Sequence, residues 1–112
     1  MKEKIEFKEF LEIENKLEIM TGTITDIKEV TKSKKLIKLT VRFTDEDVRT
    51  VVTNIKPHIT DISDFIMKEF LFVTNLKPVT MMGIESTAMI LPGEIENGKL
   101  VGIKGDSGVK IL

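Results

Sequence analysis

The sequence predicts an all-β fold with short helices, arranged as a five-stranded barrel. Several short segments alternate apolar and polar residues, as strands with one buried face do. These segments follow the order strand, strand, strand, short helix, strand, strand, with turn-forming residues between them. The length of 112 residues fits one domain over residues 1–112, with a single core.

The first two predicted elements are a short helix and a long strand. FKEFLEIEN places Phe7, Phe10 and Leu11 at helical spacing, which predicts the helix. From Leu17 onward, LEIMTGTITDI is rich in threonine and isoleucine, which predicts a strand. Gly22 lies inside this strand, and we expect a bulge or a sharp bend there.

The segment KKLIKLTVRF has the clearest strand pattern, and it predicts the second strand. Alternation divides its residues between a core face and an outer face. The core face carries Ile37, Leu39, Val41 and Phe43, and the outer face carries Lys34, Leu36, Lys38, Thr40 and Arg42. A solvated turn, TDED, then leads to the third strand, VRTVVTNI, which ends before Pro57.

The second half of the chain predicts a short helix, two strands and a turn-rich tail. ITDISDFI predicts the helix, with Thr60 or Asp61 as its cap. Its inward side chains are Ile59, Ile62, Phe65 and Ile66. EFLFVTNL predicts a fourth strand buried on both faces, IESTAMIL predicts a fifth, and the glycines of the tail predict turns. A helix between strands three and four suits the OB-fold barrel, and a generic β-barrel or sandwich is the competing interpretation.

Composition favours a binding protein over an enzyme and predicts no cofactor. Cysteine is absent, which excludes disulfides and thiolate metal sites. His58 is the single histidine, and no motif pairs it with a nucleophile. The acidic run from Asp45 to Asp47 lacks the spacing of a calcium loop. The N-terminus is charged and no apolar run approaches the roughly 20 residues of a membrane span, so we expect a cytoplasmic protein.

Charge is distributed unevenly along a chain whose net charge is only −1. Eight basic and four acidic residues lie between Lys28 and Lys56. Lys34, Lys38 and Arg42 share one face of the predicted second strand, where they could contact phosphates. A solvated strand face is the alternative interpretation. Tryptophan and tyrosine are absent, so such a surface would contact phosphates more than stacked bases.

Three motifs near the end of the chain, NLKP, MMGIES and AMIL, form an ordered pattern. The pattern resembles the tRNA-binding domain of methionyl-tRNA synthetase β chains and free-standing tRNA-binding proteins. The matching residues are Asn75, Leu76, Pro78, Met82, Gly83, Ser86 and Met89, and upstream Gly22, Ile24, Lys35 and Leu36. The resemblance implies an OB barrel without catalytic activity that binds tRNA by shape as a homodimer. It also implies an aminoacyl-tRNA synthetase as a further partner.

Eight residues are therefore predicted to contact RNA. The basic pattern supplies Lys34, Lys35, Lys38 and Arg42, and the resemblance implies Asn75, Lys77, Ser86 and Met89. Two of these residues have an alternative interpretation. Asn75 could instead hold the end of a strand by bonding loop backbone. Met89 could pack in the core.

The chain departs from the family pattern at several positions where the family has a basic residue or a glycine. Val79 and Thr80 replace an Arg-Lys pair, Ala88 replaces a glycine, and Met20 replaces an arginine. Thr53-Asn54 replaces a Ser-Gly pair. Losing two cations should weaken tRNA binding and flatten its salt dependence. The first strand also resembles CsaA-like chaperones in its Thr-Gly-Thr-Ile run, so a protein-binding module is the alternative function, with Met81 and Met82 as adaptable contacts.

Overall fold

The computed structural model describes residues 1–58, 61–91, 95–96 and 99–100. The regular elements are α1 (Phe7–Glu14), β1 (Ile19–Glu29), β2 (Ile37–Arg42), β3 (Val48–Thr53), β4 (Glu69–Val73), β5 (Val79–Met81), β6 (Ile84–Ser86), β7 (Met89–Leu91), β8 (Ile95–Glu96) and β9 (Lys99–Leu100). Two 3-10 helices, Lys56–His58 and Ile62–Phe65, lie between β3 and β4. Within the described part of the chain, no helix is long and apolar enough to cross a membrane. The turns predicted at Gly102, Gly105 and Gly108 lie outside the described residues.

Five antiparallel strands form one curled sheet in the order β3-β2-β1-β4-β7. The two edges of the sheet approach each other around Thr87. Its N–H donates to the carbonyl of Thr50 in β3 at 3.4 Å. The Val52 N–H donates to the Ser86 hydroxyl at 3.0 Å. The sheet is therefore curled into a partial barrel, and the prediction of an all-β, OB-like fold is confirmed.

The core lies on the concave side of this sheet. The alternation predicted for β2 is confirmed, since Ile37, Leu39 and Val41 are fully buried. Phe43 follows them and meets the Phe72 ring edge to face, with centroids 5.4 Å apart. Aromatic pairs in this geometry add a favourable electrostatic contact to their burial.

β1 is shared between two neighbours and bends as it passes from one to the other. Residues 19–23 pair with β4, and residues 23–29 pair with β2. The bulge expected at Gly22 lies further along, between Ile24 and Asp26. A Cβ on Gly22 would lie 2.5 Å from Val41 Cγ1 and 2.8 Å from Phe43 Cε1. Glycine is needed there because the backbone crosses the core closely, and this position does not mark the bulge.

The predicted helix between the third and fourth strands is shorter than the sequence indicates. It is a 3-10 helix over Ile62–Phe65, capped by Asp61, whose carboxylate accepts the Ser63 N–H at 3.0 Å. Phe65 is buried and stacks on Phe70 at 5.6 Å. Ile62 and Ile66 are half-buried against the core, as predicted. Ile59 and Thr60 lie outside the described residues.

The prediction of one continuous fifth strand over IESTAMIL is wrong. The segment divides into β6, which pairs with β5, and β7, which pairs with β4. β5 and β6 form a hairpin around Met82 and Gly83, which have φ angles of 51° and 79°. Two successive positive φ angles match the type I′ turn that joins two-residue hairpins. The chain leaves the hairpin near Thr87 and enters the main sheet, so the segment IESTAMIL contributes one strand to each of two sheets.

Burial of β4 on both faces is also not observed. Phe70 and Phe72 are buried on the core side. Leu71 and Val73 on the other side are only half-buried. They pair with Leu91 and Met89 of β7, which are 38% and 39% exposed. The outer side of this part of the sheet is therefore apolar but open.

Candidate nucleic-acid interface

The outer side of β2 carries Lys38, Thr40 and Arg42, all half-buried. The register sets Lys38 beside Lys28 of β1 and Arg42 beside Val48 of β3. We call Lys28, Lys38 and Arg42 the basic face. Alternation in β2 forces this arrangement, because its core side is occupied by Ile37, Leu39 and Val41.

The basic face is poorly neutralised by the protein itself. Lys28 and Lys38 are like charges placed side by side, a pairing that destabilises a sheet. Lys28 meets Asp26 only at 3.9 Å, and both side chains are at least half exposed. Within the described residues Lys38 has no ion-pair partner. Surface ion pairs of this kind contribute about 0–1 kcal/mol, so these cations remain available to an external anion.

Arg42 lies partly buried at one end of the basic face. Its Nε is buried without a hydrogen-bond partner. Its NH1 donates to Asp45 Oδ1 at 3.5 Å, and the Asp45 side chain is 94% exposed. A bond this long to a solvated carboxylate is weak, so the guanidinium can exchange Asp45 for a phosphate oxygen.

Lys34 and Lys35 do not share the strand face predicted for Lys34. β2 begins only at Ile37, and both lysines are exposed in the β1–β2 loop. The Ser33 hydroxyl accepts the N–H groups of Lys35 and Leu36 at 3.3 and 3.0 Å. This local turn uses donors that a strand would present to its neighbour, which delays the start of β2.

Asn75 has the structural role that its alternative interpretation described. Its Oδ1 accepts the Glu18 N–H at 2.9 Å, and its Nδ2 donates to the Lys16 carbonyl at 2.6 Å. The side chain thereby joins the end of β4 to the chain entering β1. Its predicted RNA contact stays a prediction, and both hydrogen-bonding ends of the amide are already used. Lys77, two residues on, is exposed and unpaired among the described residues.

Ser86 is buried, whereas Met89 is exposed at the surface. Ser86 is 4% exposed, and its hydroxyl accepts from Val52 N–H and donates to the Ala88 carbonyl at 3.2 Å. This geometry favours a structural role for Ser86 over the predicted RNA contact. Met89 is 39% exposed, so it does not pack in the core and can reach a partner.

Two cations that the sequence pattern did not assign to the RNA-binding residues also have defined places in the fold. Arg49 lies with its guanidinium 5.2 Å from the Phe43 ring centroid, bonds Asp47 through two nitrogens, and donates to the Thr74 carbonyl at 2.7 Å. It supports the barrel and is not free for a ligand. Lys28 joins the basic face through the register of β1 with β2, which places it opposite Lys38. The sequence signal for its position is alternation after the bulge, which sets Lys28 on the same side of β1 as Asp26.

Comparison with known proteins tests the resemblance directly. A family profile of the tRNA-binding domain matches residues 19–111. The chain belongs to the tRNA-binding domain family. That family domain is a binding module, and here it includes the basic face, the β1–β2 loop and the β5–β6 hairpin.

The relatives of this tRNA-binding domain include large enzymes. The chain is 41% identical over 91 residues to the methionine–tRNA ligase of Methanococcus aeolicus, covering 81% of this chain and 13% of the ligase. It is 42% identical over 101 residues to the ligase of Archaeoglobus fulgidus, covering 88% of this chain and 15% of that protein. The chain thus spans about one-seventh of the length of these relatives.

Solved structures confirm the fold of the domain. The crystal structure of a MetRS-related protein from Pyrococcus horikoshii matches with a TM-score of 0.75 and 31% identity, covering 99% of this chain and 100% of that one. The chaperone CsaA of Bacillus anthracis matches with a TM-score of 0.68 and 24% identity, covering 98% and 100%. The second match shows a shared fold. Both classes of protein named from the sequence are therefore structural neighbours.

Proposed function

We propose that this chain is a non-catalytic tRNA-binding module that recognises tRNA by shape and by phosphate contacts. One observation carries the proposal: Lys28 and Lys38 lie side by side, and Arg42 follows on the same outer side of the sheet, which OB-folds use for oligonucleotides. Each of these cations lacks a strong internal partner. Because the relatives are methionine–tRNA ligases, we propose such a synthetase as the enzyme to which the module is accessory. We also propose the cytoplasm as its location.

The contacts divide by chemistry. The phosphates would be neutralised by the basic face together with Lys34, Lys35 and Lys77. Met89 would pack against a sugar or base from the open side of the sheet. Asn75 and Ser86 would act indirectly, by holding the ends of the strands that carry these residues. Because tryptophan and tyrosine are absent and Phe43 lies in the core, phosphates and overall shape would dominate recognition.

The test compares a folded tRNA, a single-stranded RNA of equal length and an unfolded polypeptide at two salt concentrations. We expect the folded tRNA to bind most tightly, with an affinity that falls as salt rises. If tRNA has no advantage over the single strand, recognition by shape is wrong. If the polypeptide binds best at both salt concentrations, the protein-binding alternative replaces this proposal.

The basic face can be tested with a paired variant. Lys38→Gln with Arg42→Gln should weaken tRNA binding by about ten-fold at 0.1 M salt and lower the salt slope by about two. The control, Lys2→Gln with Lys4→Gln, removes the same charge from the exposed N-terminal segment. Equal affinities for the two variants would move the binding surface elsewhere.

The protein-binding alternative rests on exposed apolar side chains near the β5–β6 hairpin. Leu76, Val79 and Met82 are 42%, 55% and 57% exposed. Methionine adapts to varied apolar partners, and clustered exposed apolar groups are typical of protein contacts. Extended polypeptide is the ligand that this surface would hold, and its binding should be insensitive to salt.

We also infer that the module acts as a homodimer through α1. The helix has no buried residue, and Phe7, Phe10 and Ile13 are 70%, 43% and 45% exposed. A second copy offers the same apolar helix, so one patch can pair with itself about a two-fold axis. Light scattering should give twice 12.7 kDa at micromolar concentration, and Phe7→Ser with Phe10→Ser should give 12.7 kDa. A wild-type mass of 12.7 kDa would refute the dimer.

A further inference from the structure

The β1–β2 loop borders an open-sided cavity that the basic face does not include. Its volume is about 350 Å³, within the range of small-ligand sites. Three lysines line it, Lys32, Lys34 and Lys56, together with the carboxylate-bearing Glu29 and with Ser33. The lining therefore carries an excess of positive charge, which suits an anion.

The loop is held in shape before any ligand arrives. The Ser33 N–H donates to the Val30 carbonyl at 3.1 Å, and Val30 is buried. The Ser33 hydroxyl accepts two backbone N–H groups from the following residues. The Lys56 ammonium donates to the Ser33 carbonyl at 3.2 Å and lies 3.6 Å from Glu29. Because these bonds hold the loop backbone, a ligand would meet a smaller entropy cost of organising the loop.

Two of the three lysines have no ion-pair partner among the described residues. Lys56 donates to the Ser33 carbonyl and lies 3.6 Å from the Glu29 carboxylate, so its ammonium group faces the acidic side chain of the described lining. Lys32 and Lys34 are exposed and unpaired among the described residues. Lys32 has a φ of 66°, a conformation that non-glycine residues seldom adopt. The loop thus presents two free ammonium groups on either side of a bonded serine.

We propose that this cavity is a phosphate-binding site, in which Lys32 and Lys34 contact the phosphate oxygens and Lys56 holds the loop. The proposal deepens the tRNA-binding function and rests on it for the source of the phosphate. A backbone phosphate of RNA and a free or terminal phosphate share the chemistry. A cluster of ammonium groups on ordered backbone is a general means of binding either one.

The first test measures tRNA binding by the Lys32→Gln/Lys34→Gln variant. We expect about ten-fold weaker binding at 0.1 M salt and a salt slope lower by about two. The Lys2→Gln/Lys4→Gln variant, with the same loss of charge, should stay close to wild type. Both loop lysines are exposed, so the amide NMR spectrum should show an unchanged fold.

The second test titrates the wild-type protein and follows the amide NMR signals of residues 31–35. Saturable shifts with inorganic phosphate or adenosine monophosphate assign the cavity to a free or terminal phosphate. Shifts with tRNA alone, together with weaker tRNA binding by the loop variant, assign it to a backbone phosphate.

The outcomes separate this site from the proposed function. If the loop variant binds tRNA like the control and phosphate moves no loop signal, the cavity site is overturned and tRNA binding stands. If the wild-type protein does not bind tRNA but its loop signals shift saturably with phosphate, the site stands and the tRNA function falls. If neither ligand is bound, both are overturned.

Discussion

Gly22→Ala is expected to lower the free energy of unfolding by about 3 kcal/mol, near the upper end of the usual cost of overpacking a core. The new Cβ would lie 2.5 Å from Val41 Cγ1 and 2.8 Å from Phe43 Cε1. Both neighbours are buried, and Phe43 is also held against Phe72, so neither can move aside without disturbing the core. Urea denaturation of the two proteins measures the difference.

Gly83→Ala is the matched control for this effect. Gly83 has open space around it but a φ of +79°, so its substitution is strained only in the backbone. We expect it to cost about 1 kcal/mol, the penalty of a left-handed conformation for a non-glycine residue. If Gly22→Ala costs no more than Gly83→Ala, close packing is not the reason for the glycine in β1.

Ser86→Ala is expected to lower the free energy of unfolding by about 2 kcal/mol, the cost of leaving a buried donor without its partner. The unpaired group would be the N–H of Val52, a residue with no exposed surface. Where the variant is fully folded, its affinity for tRNA should equal that of the wild type, since the hydroxyl is inside the barrel. If the variant keeps the stability of the wild type but binds tRNA weakly, the Ser86 hydroxyl contacts RNA directly, as the sequence predicted.

The adjacent residue offers a sharp comparison. Thr87 also has a buried hydroxyl oxygen, but that oxygen has no hydrogen-bond partner. Thr87→Val removes the unpaired hydroxyl while keeping the shape of the side chain, so we expect stability to be unchanged or raised. Equal destabilisation by Ser86→Ala and Thr87→Val would mean that the loss of buried polar atoms in general, and not the bond to Val52, accounts for the effect.

Much of the fold could be predicted because strand alternation is a local property. Ile37, Leu39 and Val41 are buried as their period of two requires, and the helix at Phe7 and the capped turn at Asp61 also follow from near neighbours. The break of the fifth strand could not be predicted in this way. IESTAMIL contains no glycine or proline to mark a break, and only the position of β4 and of the hairpin decides that β6 and β7 have different partners.

The residues of the candidate site also separate into those that local sequence patterns predict and those that tertiary contacts decide. The sequence determined the membership of the family and the basic outer side of β2, because both depend on residue order and on alternation that no distant contact alters. The tertiary structure alone decided which polar residues are free to act. Asn75 bonds residues 57 and 59 positions away, and Ser86 bonds one 34 positions away. A polar group inside the fold needs a hydrogen-bond partner, and only the folded chain supplies one. Asn75 and Ser86 therefore connect distant segments of the barrel, whereas Lys32, Lys34 and Lys38 have no ion-pair partner among the described residues.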